Sequence, residues 1–190
     1  IAAASDQRPP VSAGSVMTVD LRGTLPEQVS GDPLTQLILG ESAIDIHKLT
    51  NAIEAAADDS RIDGIWIRTG GMVSSWATLE TLRRSLLQFK ESGKGIVASS
   101  TVHFMTEAEY FVASVADSIF LDPEGVFEFN GFAFTSTFYG GLLDKLGVTV
   151  EVVRAGNFKS AVEPYTRPDM SEANKEQLMA LLEDFWARMG

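Results

Sequence analysis

The stretch RAGNFKSAVEP, residues 154–164, places a single lysine among small and apolar residues, with Ser160 directly after Lys159 and Glu163–Pro164 closing the segment. A neutral lysine amine can take the proton of a serine hydroxyl without help from a histidine. An unperturbed lysine keeps its proton to about pH 10.4, so a lysine base has to be desolvated by small or apolar neighbours. Ala155, Gly156, Phe158, Ala161 and Val162 are neighbours of that kind, and Glu163 is four residues on. The competing reading is a solvated loop lysine. The segment alone does not separate the two.

Other chemistry is harder to build from this chain. Its two histidines, His47 inside an amphipathic pattern and His103 just past a strand-like run, lie far apart with no H-x₃-H or HExxH spacing. A zinc site or a Ser-His-Asp triad therefore has no footing. TGGM, residues 69–72, lacks the GK[ST] of a P-loop and the third glycine of a dinucleotide fingerprint. Gly70 and Gly71 are better suited to a tight turn, or to backbone N–H groups presented as an oxyanion hole. Asp58 and Asp59 read as a solvated turn at a helix end. Trp66, Trp76 and Trp186 lie on otherwise apolar elements and read as core.

Composition removes whole classes. The absence of cysteine excludes disulfides, thiolate metal sites and cysteine nucleophiles. A formal charge of −11 over 190 residues argues against nucleic acid and against an anionic lipid surface. No apolar run reaches the roughly 18 residues of a membrane span, and IAAASDQRPPVSAG has no signal-peptide pattern. Residues 1–14 read as a linker remnant with something upstream removed, and 15–190 as a single domain.

The elements that must position Lys159 follow from periodicity. SVMTVDL (15–21), GIWIR (64–68), GIVASS (95–100), SIFL (118–121) and VTVEVVR (148–154) are expected strands, the second a buried parallel one. Helices are expected from Ile46, Leu49, Ile53 and Ala56, and from Leu79, Leu82, Leu86 and Phe89 before Gly93. Thr106 with Glu109 makes a capping box that opens a third, with Phe111, Val112 and Val115 inward. Phe138, Leu142, Leu143 and Leu146, stopped by Gly147, make a fourth. Leu178, Leu182, Phe185 and Met189 mark a final amphipathic helix whose apolar face no later segment covers, so the chain is expected to be cut from a longer one. Strand–helix alternation calls for an α/β domain with a mainly parallel sheet.

This order of elements, the glycine pair after the second strand, EYFVASVAD (109–117) and above all GNFKSAVEP (156–164) followed by RPDMS resemble the signal peptide peptidase A family. These are the protease IV type of membrane-anchored serine peptidases, with a crotonase/ClpP-like fold. The resemblance runs from about residue 15 to the end. It implies that Lys159 is the general base of a Ser/Lys dyad, that no cofactor or metal is needed, and that substrates are signal peptides or other unfolded peptides. It further implies a homo-oligomer, anchored to the cytoplasmic membrane by an upstream segment, with the catalytic domain on the periplasmic side.

One departure stands out. Short family members carry the nucleophile in a segment of the form A-S-G-G-Y-Y, whereas this chain has TEAEYF (106–111), with Glu107 at the serine position and Ala108 and Glu109 for the glycines. The long form, with two tandem halves, reconciles this: the first half gives the lysine and the second the serine. The chain resembles that first half, and by itself is expected to be inactive. Ser160, adjacent to the base, faces the other way on an extended segment. Two other readings stay open: a catalytically silent assembly or binding domain, and a crotonase-type acyl-CoA enzyme. The second leaves Lys159 unexplained.

Overall fold

A computed structural model describes residues 11–27, 45–153 and 159–189. The chain divides into two compact units, Ile1–Phe129 and Asn130–Gly190.

The first unit contains β1 (Ser15–Leu25), α1 (Ile46–Asp58), β2 (Ile62–Ser74), α2 (Trp76–Glu91), β3 (Gly95–Ser100), β4 (Phe104–Met105), α3 (Glu107–Ala113), β5 (Ser118–Phe120) and β6 (Val126–Phe127). One sheet has the order β1-β2-β3-β5, every pair parallel, and β4 pairs with β6 in a small second sheet, also parallel. The expected α/β class with a parallel sheet and flanking helices is therefore what the chain adopts. Helix starts are set by local polar residues: Asp45 accepts from the His47 and Lys48 N–H groups, Ser75 from Thr78, and Thr106 from Glu109. Each such cap is worth about 1 kcal/mol.

The core is built from alternate residues of the strands and single faces of the helices. Val19, Leu21, Ile65, Ile67, Ile96 and Ala98 are buried, together with Ile46 and Ile53 of α1, Leu79, Leu82, Leu86 and Phe89 of α2, and Phe111 and Val112 of α3. Burying each large side chain contributes about 1.5–3 kcal/mol. Two cations tie the helices down. Arg83 of α2 donates to the Phe111 carbonyl and to the Ser114 hydroxyl, both at 2.6 Å. Lys94 donates to the Ala56 and Asp59 carbonyls, satisfying the end of α1. Asp59 is bound by Arg61, whose hydrogen bonds hold its carboxyl far below the usual range.

The second unit holds α4 (Gly140–Lys145), α5 (Glu163–Thr166) and α6 (Glu172–Met189). Gly147, at φ +69°, ends α4: its N–H reaches the Asp144 carbonyl and the Val148 N–H reaches Leu143. That pairing is the one a helix-terminating glycine makes.

Four expectations need correction. TGGM is no tight turn: it continues β2, which runs to Ser74. The predicted strand over 148–154 is absent among its described residues, 148–153. Its β-branched residues have the propensity, but Val148, Val150 and Val153 are exposed and no described strand pairs with them, and an unpaired strand is not stable. β2 is not buried on both faces, because Trp66, between the buried Ile65 and Ile67, is 41% exposed, its indole N–H bonded to Ser99. Trp186 on α6 is exposed too, so of the three tryptophans only Trp76, edge-on to Phe111 at 5.6 Å, packs towards the core.

Candidate active site

Two places in the chain carry the residues singled out by sequence, one in each unit. In the first, β2 gains a residue on β1. Leu21 pairs with Thr69 and Gly23 with Met72, so the single residue Arg22 stands opposite both Gly70 and Gly71. This is a β-bulge, and a bulge re-aims backbone groups away from the ladder. The two glycines are required for different reasons. Gly71 sits at φ +80°, where a Cβ is strained. A Cβ on Gly70 would collide with the Thr101 hydroxyl, which itself donates to the Thr69 carbonyl at 2.8 Å.

The re-aimed N–H groups meet a carboxylate. Glu109 on α3 is completely buried, and its Oε1 accepts from the Gly71 N–H at 2.8 Å and from the Met72 N–H at 3.3 Å. Its Oε2 accepts from the Thr106 N–H at 2.9 Å and the Thr106 hydroxyl at 3.0 Å, completing the capping box. Sequence reading found the capping box and missed the bond across 38 residues to Gly71. The available signal was a glutamate where the family pattern has a glycine, near a glycine pair. Glu107, which the family resemblance sets where a serine would stand, is the first residue of α3.

The rest of EYFVASVAD locks α3 in place. Phe111, Val112 and Val115 are buried, and Asp117 accepts from the Ile96 N–H at 2.8 Å while pairing with Lys90 at 2.7 Å. The Lys90 hydrogen bond, with that of Ile96, holds the Asp117 carboxyl below its ordinary range. Tyr110 turns the other way and packs on Phe127, 4.9 Å between ring centres.

In the second unit Lys159 is exposed and Ser160 half-buried. Of the small neighbours expected to desolvate the lysine, Ala155, Gly156 and Phe158 lie outside the described residues, Ala161 is exposed and Val162 half-buried. The residues after Lys159 are held firmly. The Ser160 carbonyl accepts from the Glu163 N–H at 2.9 Å, forming a turn into α5. Glu163 is buried, only 1% exposed, and accepts from the Ser171 hydroxyl at 2.5 Å, the Ser171 N–H at 3.1 Å and the Asn174 amide at 3.3 Å. Burial alone would raise its carboxyl; these hydrogen bonds outweigh that and bring it below the usual range. Ser171 in turn accepts from the Asn174 N–H and so caps α6. The Tyr139 N–H donates to the Pro164 carbonyl, and Tyr139 stacks on Tyr165, which joins α5 to α4. The motif's Glu-Pro pair thus anchors the segment that carries the lysine.

His103 is exposed and faces Asp122 at 3.3 Å, and His47 is exposed near the start of α1. Among the described residues no group of three or more His, Asp or Glu side chains is placed to hold a metal ion.

A sequence model of peptidase family S49 matches residues 88–189, more than half of the 190. The chain belongs to peptidase family S49. The matched span includes α3 and the Lys159 segment. Similar curated proteins are a chloroplastic serine protease SPPA of Arabidopsis thaliana, 30% identical over 93% of this chain and 25% of its own length, and Protease 4 of Salmonella typhi, 35% identical over 73% of this chain and 22% of its own. Protease 4 of Haemophilus influenzae is 32% identical over 71% of the chain and 22% of its own length. The chain therefore spans about a quarter of the length of these relatives. Membership accounts for the ClpP/crotonase-like fold expected from the sequence.

Proposed function

We propose that this chain supplies the lysine general base of a Ser/Lys serine peptidase that cleaves signal peptides or other unfolded peptides, with the nucleophilic serine contributed by a part of the protein outside these residues. The observation that carries the reading is the pairing of two facts: GNFKSAVEP stands in a family S49 chain, while Glu107 occupies the serine position and Glu109 fills the nearby N–H pair. In the reaction the Lys159 amine takes the serine Oγ proton as Oγ bonds to the scissile carbonyl carbon. It returns that proton to the leaving amine as the peptide C–N bond breaks, then serves as base again when water hydrolyses the ester. Lys159 is exposed in this chain, so its desolvation falls to the serine-bearing part or the bound peptide.

The same reading makes the longer protein a homo-oligomer held at the membrane by a segment outside this chain, with its site on the periplasmic side. None of the described helices is long and apolar enough to cross a membrane. Fractionation of the longer protein, with sizing in detergent, tests both points; a soluble monomer ends them. A second reading, a silent assembly domain, draws on the same filled N–H pair. The decisive experiment is kcat/KM of the longer protein with Lys159→Arg. Arginine keeps the charge but does not deprotonate at working pH, so a base is lost and a merely structural cation is kept. Residual activity above about a tenth, a barrier difference of only about 1.4 kcal/mol, would leave the silent reading in possession.

A further inference from the structure

We propose that Glu109 is an internal anion that occupies this unit's own oxyanion-binding position, and that a small external carboxylate takes its place once the side chain is removed. The inference concerns the first unit alone and does not depend on Lys159.

Two successive backbone N–H groups turned out of a β-bulge beside a positive-φ glycine form a donor concavity for an anion. Oxyanion holes work with donors 2.7–3.1 Å from the oxygen they stabilise. The Gly71 N–H meets that at 2.8 Å and the Met72 N–H, at 3.3 Å, lies just beyond it. The position also lies beside the start of α3, where Glu107 replaces the family's nucleophile. Among the described residues, every group bonded to the Glu109 carboxyl oxygens is a donor: the N–H groups of Gly71, Met72 and Thr106 and the Thr106 hydroxyl. Four donors match the acceptor sites of one carboxylate. No oxygen of a peptide can reach the pair while that carboxylate is there. The chain therefore carries a site of the peptidase kind that its own side chain has closed, and the stabilising N–H groups of an active site in the longer protein come from elsewhere.

The test reads the amide proton and nitrogen shifts of Gly71 and Met72, with melting temperature, in the chain as it stands and in two variants. In the unaltered chain, formate leaves both amides unmoved. In Glu109→Ala both amides shift strongly and the melting temperature drops by several degrees; formate or acetate restores both in a saturable way, and chloride at equal ionic strength does not. Glu109→Gln keeps the volume and one acceptor oxygen, so it shifts both amides while leaving no room for formate. This variant also decides the matter should Glu109→Ala fail to fold. Unchanged Gly71 and Met72 amides in the glutamine variant overturn the internal contact. Formate-induced shifts in the unaltered chain overturn the closure, and shifts in Glu109→Ala that no carboxylate reverses overturn the anion site.

Discussion

Glu109 and Glu163 are both buried glutamates whose oxygens are filled by N–H and hydroxyl donors, yet they tie down different parts of the chain. Glu109 reaches from α3 to β2 and fills the Gly71 and Met72 N–H pair, the oxyanion position proposed above. Glu163 reaches only from α5 to the start of α6 and holds the segment in which Lys159 stands exposed. On the proposed reading, one carboxylate retires a site and the other presents one. The same chemistry, a carboxylate satisfied by local donors, is placed, under the proposed function, so that this chain keeps the base and gives up the rest of the machinery.

The largest expected effect separates the two sites by activity. In the longer protein Lys159→Arg lowers kcat/KM by about 10²-fold or more, the scale of a lost general base, while Glu109→Gln leaves it within a few-fold. A glutamine variant as inactive as the arginine variant would break the contrast, since it would put the first site into the reaction.

Stability comes next. Glu109→Ala strands three N–H groups and a hydroxyl in the interior and is expected to cost about 3 kcal/mol in denaturant unfolding. Glu163→Ala is expected to cost about 1–2 kcal/mol, because the half-buried Ser171 can turn to water instead. Equal losses would show that the closed site is no better built than the open one. Smaller still, Gly71→Ala should cost about 1 kcal/mol from backbone strain at positive φ. Gly70→Ala acts by a different route, pushing away the Thr101 hydroxyl and its bond to Thr69. A stabilising Gly71→Ala would contradict the bulge.

The smallest effect is a pH dependence belonging to Glu163. Its folded value is lowered, so the unfolded chain binds the proton more readily. The stabilisation is full above the ordinary glutamate value, about 4.3, and is lost as pH falls through the lower folded value. Acid unfolding monitored on α6 should be less steep in Glu163→Gln over that range. An unchanged acid limb would count against the hydrogen bonds assigned to Glu163.

Much of this was legible in the sequence where the signal was local. The heptad-like spacing of Leu79, Leu82, Leu86 and Phe89, the Thr106–Glu109 capping box and Gly147 at a helix end each involve residues within a turn or two, and each element formed as its residues dictate. The Lys159 segment was legible too, as a motif. The errors fell where pairing decides. TGGM reads as punctuation, but β1 lies alongside and draws it into β2 with a bulge. VTVEVVR reads as a strand, but no described strand pairs with it. Trp66 reads as core, but the alternation along β2 sets it opposite the buried Ile65 and Ile67, where it is exposed.

The sequence by itself determined the α/β class, the longer helices, four of the strands, the Thr106–Glu109 cap and the inward faces of α1, α2 and α3, because those depend on spacing along a few residues. Only the tertiary structure decided that Glu109, a helix cap by every local rule, also holds the Gly71 and Met72 N–H groups. Glu109 and Gly71 lie 38 residues apart in the chain. A side chain's second hydrogen bond depends on which strand the packing sets in front of it, and no periodicity records that.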